Sequence, residues 1–373
     1  MNGIRVGSLF GIPFYVNPSW FFVLILVTLS YGAQLANQFS YLGPLVPWIL
    51  GFIAAILLFA SVLAHELGHS FVAINNEIEV KSITLFIFGG LATLEKEAKT
   101  PLASFYIAIA GPIVSLVLFA MLTAIGITIP LPNAVAAVVS LLAYINLVLG
   151  IFNLIPGLPL DGGNILKAIV WKITGNPNKG VLFASRVGQF FGWLAITIGA
   201  LGVLNILPIG SLWTLLIGWF LLQNAGVSAQ SARIQEKLSS YTAEDAVIPD
   251  SPIVSGDLNL REFANEYIIG QTKWKKFLVV NETGQLLGSI AVDDMKKIPT
   301  SQWTETFVKD SIRSEEKIDI IAGDRTLLEA VKTIEGQNLQ QLTVVKEDGV
   351  VVGLLEKASI ISFLQKEAKA NAA

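Results

Sequence analysis

Six stretches of this 373-residue chain each hold the ~20 predominantly apolar residues that a helix needs to cross the ~30 Å hydrocarbon core of a bilayer. They run 18–37, 46–74, 102–126, 134–155, 185–206 and 211–229. Breaks such as Tyr41-Leu42-Gly43-Pro44, Ile129-Pro130-Leu131-Pro132-Asn133 and Leu207-Pro208-Ile209-Gly210 separate them. Backbone in lipid must satisfy its own hydrogen bonds, so a series of this kind predicts a bundle of spanning helices. Only 14% of the residues are charged, against roughly a quarter in a soluble domain. The deficit lies before Gln235; beyond it Lys, Glu and Asp become frequent. The expected organisation is therefore a six-helix membrane domain over 1–235 and a soluble tail over 236–373.

Lys and Arg set an orientation, because they accumulate in cytosolic loops. Arg5 precedes span one; Lys81, Lys96 and Lys99 lie between spans two and three. Lys167, Lys172 and Lys179 lie between spans four and five, and Arg233 and Lys237 follow span six. The loops after spans one, three and five hold neither residue type. Both termini and the tail are thus expected in the cytosol. The start of the chain lacks a short apolar region followed by a small-residue cleavage site, so no cleaved leader is expected. A net charge of −3 gives no field that would favour nucleic acid as a partner. The absence of cysteine excludes disulfides, thiolate-bound metal and a cysteine nucleophile.

Span two carries His65-Glu66-Leu67-Gly68-His69, and His65 and His69 are the only histidines of the chain. Ionisable groups inside a span are costly and persist where they face a bundle interior or bind something. At i and i+4 the two rings project from one helix face and can share a metal ion, with Glu66 beside them to accept a proton from water. The plainer alternative is a polar pair that mediates helix packing. Catalytic zinc takes three protein ligands and keeps a fourth position for water. With no third His and no Cys, the third ligand would be a carboxylate. Glu77, Glu79, Glu95 and Glu97 lie in loops, whereas Asp161 follows span four in Asn153-Leu154-Ile155-Pro156-Gly157-Leu158-Pro159-Leu160-Asp161-Gly162-Gly163. Pro and Gly break the helix there, and irregular backbone at membrane depth is tolerated where it lines a cavity. Asp161 could instead cap the helix that begins at Gly162. Asn153 could donate a hydrogen bond to an oxyanion, or could satisfy a carbonyl freed by the break.

These residues resemble the site-2 protease family of intramembrane zinc metalloproteases, in the bacterial type that ends in a pair of CBS modules. The likeness spans essentially the whole chain. It rests on His65 to His69, Gly89-Gly90, Ala110-Gly111-Pro112 and the run from Asn153 to Gly163. It implies one zinc held by His65, His69 and Asp161, with Glu66 as the base and Asn153 in the active site. The reaction implied is hydrolysis of a peptide bond within or next to the membrane segment of a single-pass protein. A helical substrate must be extended before cleavage. Residues 80–88, rich in β-branched and aromatic side chains, read as a strand, and the family has a membrane-associated hairpin here. An edge strand in this segment could pair with the substrate, or the segment could be a plain interfacial linker. The run from Gly90 to Pro112 is too short for an inserted PDZ-like domain.

The tail repeats itself at an offset of 65 residues: Val279 to Gly288 aligns with Val344 to Gly353, and Asp245 with Asp310. The copies span about 240–300 and 305–366, each reading as helix, strand, Gly-containing turn, strand, helix. They resemble a tandem CBS pair. Such pairs often bind adenine nucleotides through a hydroxyl residue and an Asp after the second strand. Those places hold Ala291 and Asp294 in the first copy, and Glu356 and Ser359 in the second. Glu356 would repel a phosphate, so a structural or homodimerising role stands beside nucleotide binding. A polytopic domain joined to CBS modules also fits a transporter, but no path of ionisable residues and no inverted repeat is visible. An inactive membrane chaperone of the same fold would not need Glu66.

Overall fold

The structure is a computed structural model that describes residues 3–87, 89–269, 274–312 and 318–370. The chain divides into two compact units, Met1–Arg233 and Ile234–Ala373. In the first, six helices are long and apolar enough to span a membrane. They are α1 (Ser19–Gln38), α2 (Val46–Asn75), α3 (Pro101–Thr128), α4 (Asn133–Asn153), α6 (Pro177–Val203) and α7 (Leu212–Ser239). A shorter helix, α5 (Asp161–Thr174), lies between α4 and α6. Two helices overrun the expected spans by more than a turn. Helix α6 starts at Pro177, where the Asn176 side chain caps the Asn178 and Lys179 amides and Pro supplies a preset first turn. Helix α7 continues to Ser239 because no Pro or Gly stops it after Gly226.

Small residues let the helices approach. A Cβ on Gly51 of α2 would lie 2.7 Å from the Thr28 carbonyl oxygen of α1. Leu35, Ala54, Ala134, Val138 and Leu142 form a buried cluster across α1, α2 and α4.

Four strands complete this unit: β1 (Ile4–Leu9), β2 (Ile12–Val16), β3 (Val80–Phe86) and β4 (Gly89–Leu94). Their order is β1-β2-β3-β4. Strands β1 and β2 form an antiparallel hairpin whose two-residue turn, Phe10-Gly11, has positive φ at both positions (52° and 82°). That geometry matches the twist of the flanking strands. Strand β2 pairs parallel with β3, and β3 antiparallel with β4. Ile12, Val80 and Ile83 pack on Ala73 near the end of α2.

This arrangement corrects the expected edge strand at 80–88. Strand β3 is interior, with β2 on one side and β4 on the other, because the N-terminal segment folds back to join the sheet. The free edge next to the hairpin belongs to β4. Phe88, the last residue of the expected strand, lies outside the described residues.

The second unit holds two three-stranded sheets of the same topology. The first has β5 (Ile253–Ser255) parallel to β6 (Lys276–Val280), and β6 antiparallel to β7 (Leu286–Ala291). The second repeats it with β8 (Ile320–Ala322), β9 (Gln341–Val345) and β10 (Val351–Glu356). The offset of 65 read from the sequence carries β6 onto β9 and β7 onto β10 residue for residue. Gly284 and Gly349 hold the equivalent turns at φ of 79° and 84°, where a side chain would be strained. Each sheet packs on its own helices, with Phe263, Val279 and Ile290 fully buried in one core and Leu327, Val344 and Leu355 in the other. The fold is thus a polytopic helical membrane domain followed by a tandem α/β unit.

Candidate active site

Helix α2 buries His65, Glu66 and His69, which are 3, 9 and 9% exposed. Helix α5 brings Asp161 to them. The Nε2 of His65 lies 3.0 Å from Asp161 Oδ2, the Nε2 of His69 lies 3.3 Å from the same oxygen, and the two Nε2 atoms are 3.3 Å apart. Asp161 is the first residue of α5, but the N-cap position belongs to Leu160 and no side chain caps the helix. The carboxylate therefore serves the histidines rather than the helix end. Two glycines after it make this placement feasible. A Cβ on Gly162 would sit 2.3 Å from the Leu154 oxygen, and one on Gly163 would sit 2.2 Å from the Leu158 nitrogen. Any side chain at either position would push α5 off the turn that follows α4.

Helix α3 supplies the other half of the surroundings. His69 Nδ1 lies 2.6 Å from the Ile107 carbonyl oxygen, and His65 Nδ1 lies 2.9 Å from Ser115 Oγ. A carbonyl only accepts, so Nδ1 of His69 donates and the neutral ring presents a lone pair at Nε2. That lone pair faces a second imidazole nitrogen and an anionic oxygen in a buried site. Such an array calls for a cation at its centre. Donor–donor separations of 3.0–3.3 Å approach the ~3.3–3.4 Å edge of a tetrahedron built on zinc–nitrogen bonds of about 2.0–2.1 Å. Space for the ion is reserved by Gly111, whose Cβ would lie 2.2 Å from His69 Nε2 and 2.6 Å from His65 Nε2. Two histidines and one carboxylate with free coordination space form the donor set of catalytic zinc. Among the described residues this is the one group of three or more such side chains with ligand atoms close enough to share an ion.

The free edge of β4 runs past Glu66. A Cβ on Gly90 would fall 2.3 Å from Glu66 Cγ, and the Ala92 amide hydrogen-bonds the Glu66 carboxylate. Because the Glu95 amide bonds back to the Glu79 carbonyl on the β3 side, alternation places the amides of 90, 92 and 94 on the free edge. A cavity of about 340 Å³ lies along this edge; His65, Glu66, His69, Asp161 and Asn153 also line it. Lys167 and Glu97 line it too, 3.9 Å apart between Nζ and Oε2. Glu97, one of the acidic residues weighed as a third ligand, thus points to Lys167 rather than to the histidines. Sequence reasoning missed Ser115, the Ile107 carbonyl and the spatial role of Gly111. The Ala110-Gly111-Pro112 run was visible as a motif, but nothing in a linear pattern says which helix lies against the histidines.

A buried pair of histidines, a carboxylate and an adjacent glutamate, set within membrane helices, define the class of the protein as an intramembrane metallohydrolase. Comparison with known proteins narrows this. The model of peptidase family M50 matches residues 53–131 and 130–188. A Synechocystis protein named as a zinc metalloprotease is 62% identical over 367 residues, covering 98% of this chain and 97% of its own. A Mycobacterium tuberculosis protein similarly named is 30% identical over 368 residues, covering 97% and 93%. The solved site-2 protease from Methanocaldococcus jannaschii is 28% identical, covering 61% of this chain and 95% of that one, at a TM-score of 0.44. The chain belongs to peptidase family M50 and is a multi-pass zinc metalloendopeptidase of the site-2 type.

Proposed function

We propose that this protein hydrolyses a peptide bond within or next to the transmembrane segment of a single-pass membrane protein, with His65, His69 and Asp161 holding one zinc and Glu66 as general base. The observation that carries this reading is the convergence of three ligand atoms beside Glu66, at a cavity bordered by a strand edge, inside a helical bundle. Zinc bound there would polarise the scissile carbonyl and acidify the attacking water. Glu66 takes the proton from that water and returns it to the leaving nitrogen. Its carboxylate is held for this by the Ala92 amide. Asn153, at the last turn of α4, faces the same cavity and is suited to donate to the oxyanion that develops on the carbonyl.

The substrate enters as an extended strand and pairs with the free edge of β4, which corrects the assignment of that role to 80–88. Extension is required because a helix hides its carbonyls, and the edge offers main-chain donors at 90 and 94 in the cavity that holds Glu66, the amide of 92 being taken by Glu66 itself. Helix α2 ends ten residues beyond His65, roughly 15 Å at 1.5 Å per residue, and the Lys and Arg pattern puts that end in the cytosol. Cleavage would then occur in the cytosolic half of the membrane.

The tail, read as a tandem CBS pair, acts by dimerisation or as a structural regulator rather than as an adenine nucleotide sensor. Two observations support this. Ser359 Oγ accepts from the Glu356 amide, and an Asp294 oxygen accepts from the Ala291 amide while the other pairs with Lys297. Both residues are thus occupied in capping helices, and Glu356 puts a negative charge at the place where nucleotide-binding pairs carry a hydroxyl residue. Zinc analysis of purified His65→Ala, His69→Ala and Asp161→Ala tests the site. Each is expected to fall from one zinc per chain to near none, and full retention in any of them would remove that residue from the ligand set.

A further inference from the structure

On α3, the residues that meet the histidine pair are 107, 111 and 115, spaced at i, i+4 and i+8 and therefore aligned along one helix face. Each does something different. The Ile107 carbonyl accepts from His69 Nδ1 at 2.6 Å. Gly111 leaves the space between the two Nε2 atoms empty of side chain. Ser115, 0% exposed, sets its hydroxyl 2.9 Å from Nδ1 of His65. The two rings therefore have unlike partners. His69 is bound to a group that can only accept, which fixes its tautomer. His65 is bound to a hydroxyl, and that hydroxyl is its Nδ1 partner, with the residue 3% exposed.

We infer that Ser115 is a positioning residue for His65: its oxygen accepts from Nδ1–H, holds the ring plane, and keeps the Nε2 lone pair directed at the space left by Gly111. The inference rests on the zinc site proposed above. The physical need is specific. A metal-binding imidazole must present one nitrogen unprotonated, and the hydrogen bond made by its other nitrogen selects which. Without the hydroxyl, a buried Nδ1–H would lose its partner, and the alternative tautomer would place a proton on Nε2 toward Asp161. Partners of this kind commonly change metal affinity by about 10–100-fold.

The test uses the full-length chain purified in detergent, with zinc affinity measured by chelator competition and Co²⁺ absorption as a probe of ligand geometry. Ser115→Ala is expected to weaken zinc about 10–100-fold and to alter the Co²⁺ bands, while its metal-free thermal midpoint matches that of the parent chain. Ser115→Thr, which keeps the hydroxyl, is expected to restore affinity. Parent-like affinity in Ser115→Ala, an equal loss in Ser115→Thr, or a loss accompanied by a lowered metal-free midpoint would overturn the inference. His65→Ala, measured alongside, separates the two levels. If it binds zinc like the parent, the metal site itself is misread; if it loses zinc while Ser115→Ala does not, only the role of Ser115 fails.

Discussion

At the scale of single residues, the site is defined as much by absent side chains as by present ones. Gly111 and Gly90 are the two positions where a methyl group would meet the chemistry directly, the first between the histidine nitrogens and the second against Glu66. Gly111→Ala should therefore fold and yet hold no zinc, because its Cβ would lie 2.2 Å from His69 Nε2 and 2.6 Å from His65 Nε2, so the rings must move away from the geometry that brings their nitrogens together. Metal analysis together with the metal-free thermal midpoint checks this, and a stoichiometric zinc content in Gly111→Ala would contradict it. The histidines, Glu66 and the candidate role of Asp161 were all readable before the fold was known, because only two histidines exist and cysteine is absent. What the linear pattern could not contain was the partner shell. Ser115 lies 50 residues from His65 in sequence, and a backbone carbonyl such as that of Ile107 leaves no mark in a sequence at all.

At the scale of elements, the six spans were legible because lipid imposes length and apolarity on a helix. The ends were less so: α6 begins eight residues earlier than its apolar run, since Asn176 and Pro177 make a good helix start in polar surroundings. The sheet was the least legible part. Strand β1, Ile-Arg-Val-Gly-Ser-Leu, is short and largely exposed, and only the tertiary pairing of its partner β2 with β3 builds the hairpin into a sheet. That pairing makes β3 interior and leaves β4 as the edge proposed to receive the substrate. Leu94→Pro deletes a free-edge amide and leaves the bonds to β3 in place. One lost main-chain hydrogen bond is worth about 1–1.5 kcal/mol, so the cleavage efficiency of a transmembrane substrate should fall roughly five- to tenfold, with zinc content unchanged. Unaltered cleavage by Leu94→Pro would remove this edge from the substrate path.

At the scale of the whole molecule, the orientation and the tail yield separate expectations. The chain has no cysteine, so single cysteines report topology without background. Ile209→Cys, between α6 and α7 and 62% exposed, should react with an impermeant thiol reagent in intact cells. Glu236→Cys, near the end of α7, should react only after the membrane is opened. The reverse pattern would invert the topology and place the tail outside the cytosol. For the tail, calorimetric titration of the full chain with ATP, ADP and AMP should show no saturable heat, because the acidic Glu356 and the committed caps at Asp294 and Ser359 leave little to hold a phosphate. Saturable binding of any of the three would restore a sensing role.

The most direct test of the central claim is Glu66→Gln in the full-length protein, assayed in lipid for zinc content and for cleavage of a single-pass membrane substrate. The amide keeps the shape of the side chain but cannot accept the proton, and general-base catalysis is worth about 10²–10⁴-fold. The account predicts one zinc per chain, as in the parent, with cleavage reduced by that factor and uncut substrate accumulating in the membrane. Cleavage at the parent rate by a Glu66→Gln protein with full zinc would contradict it.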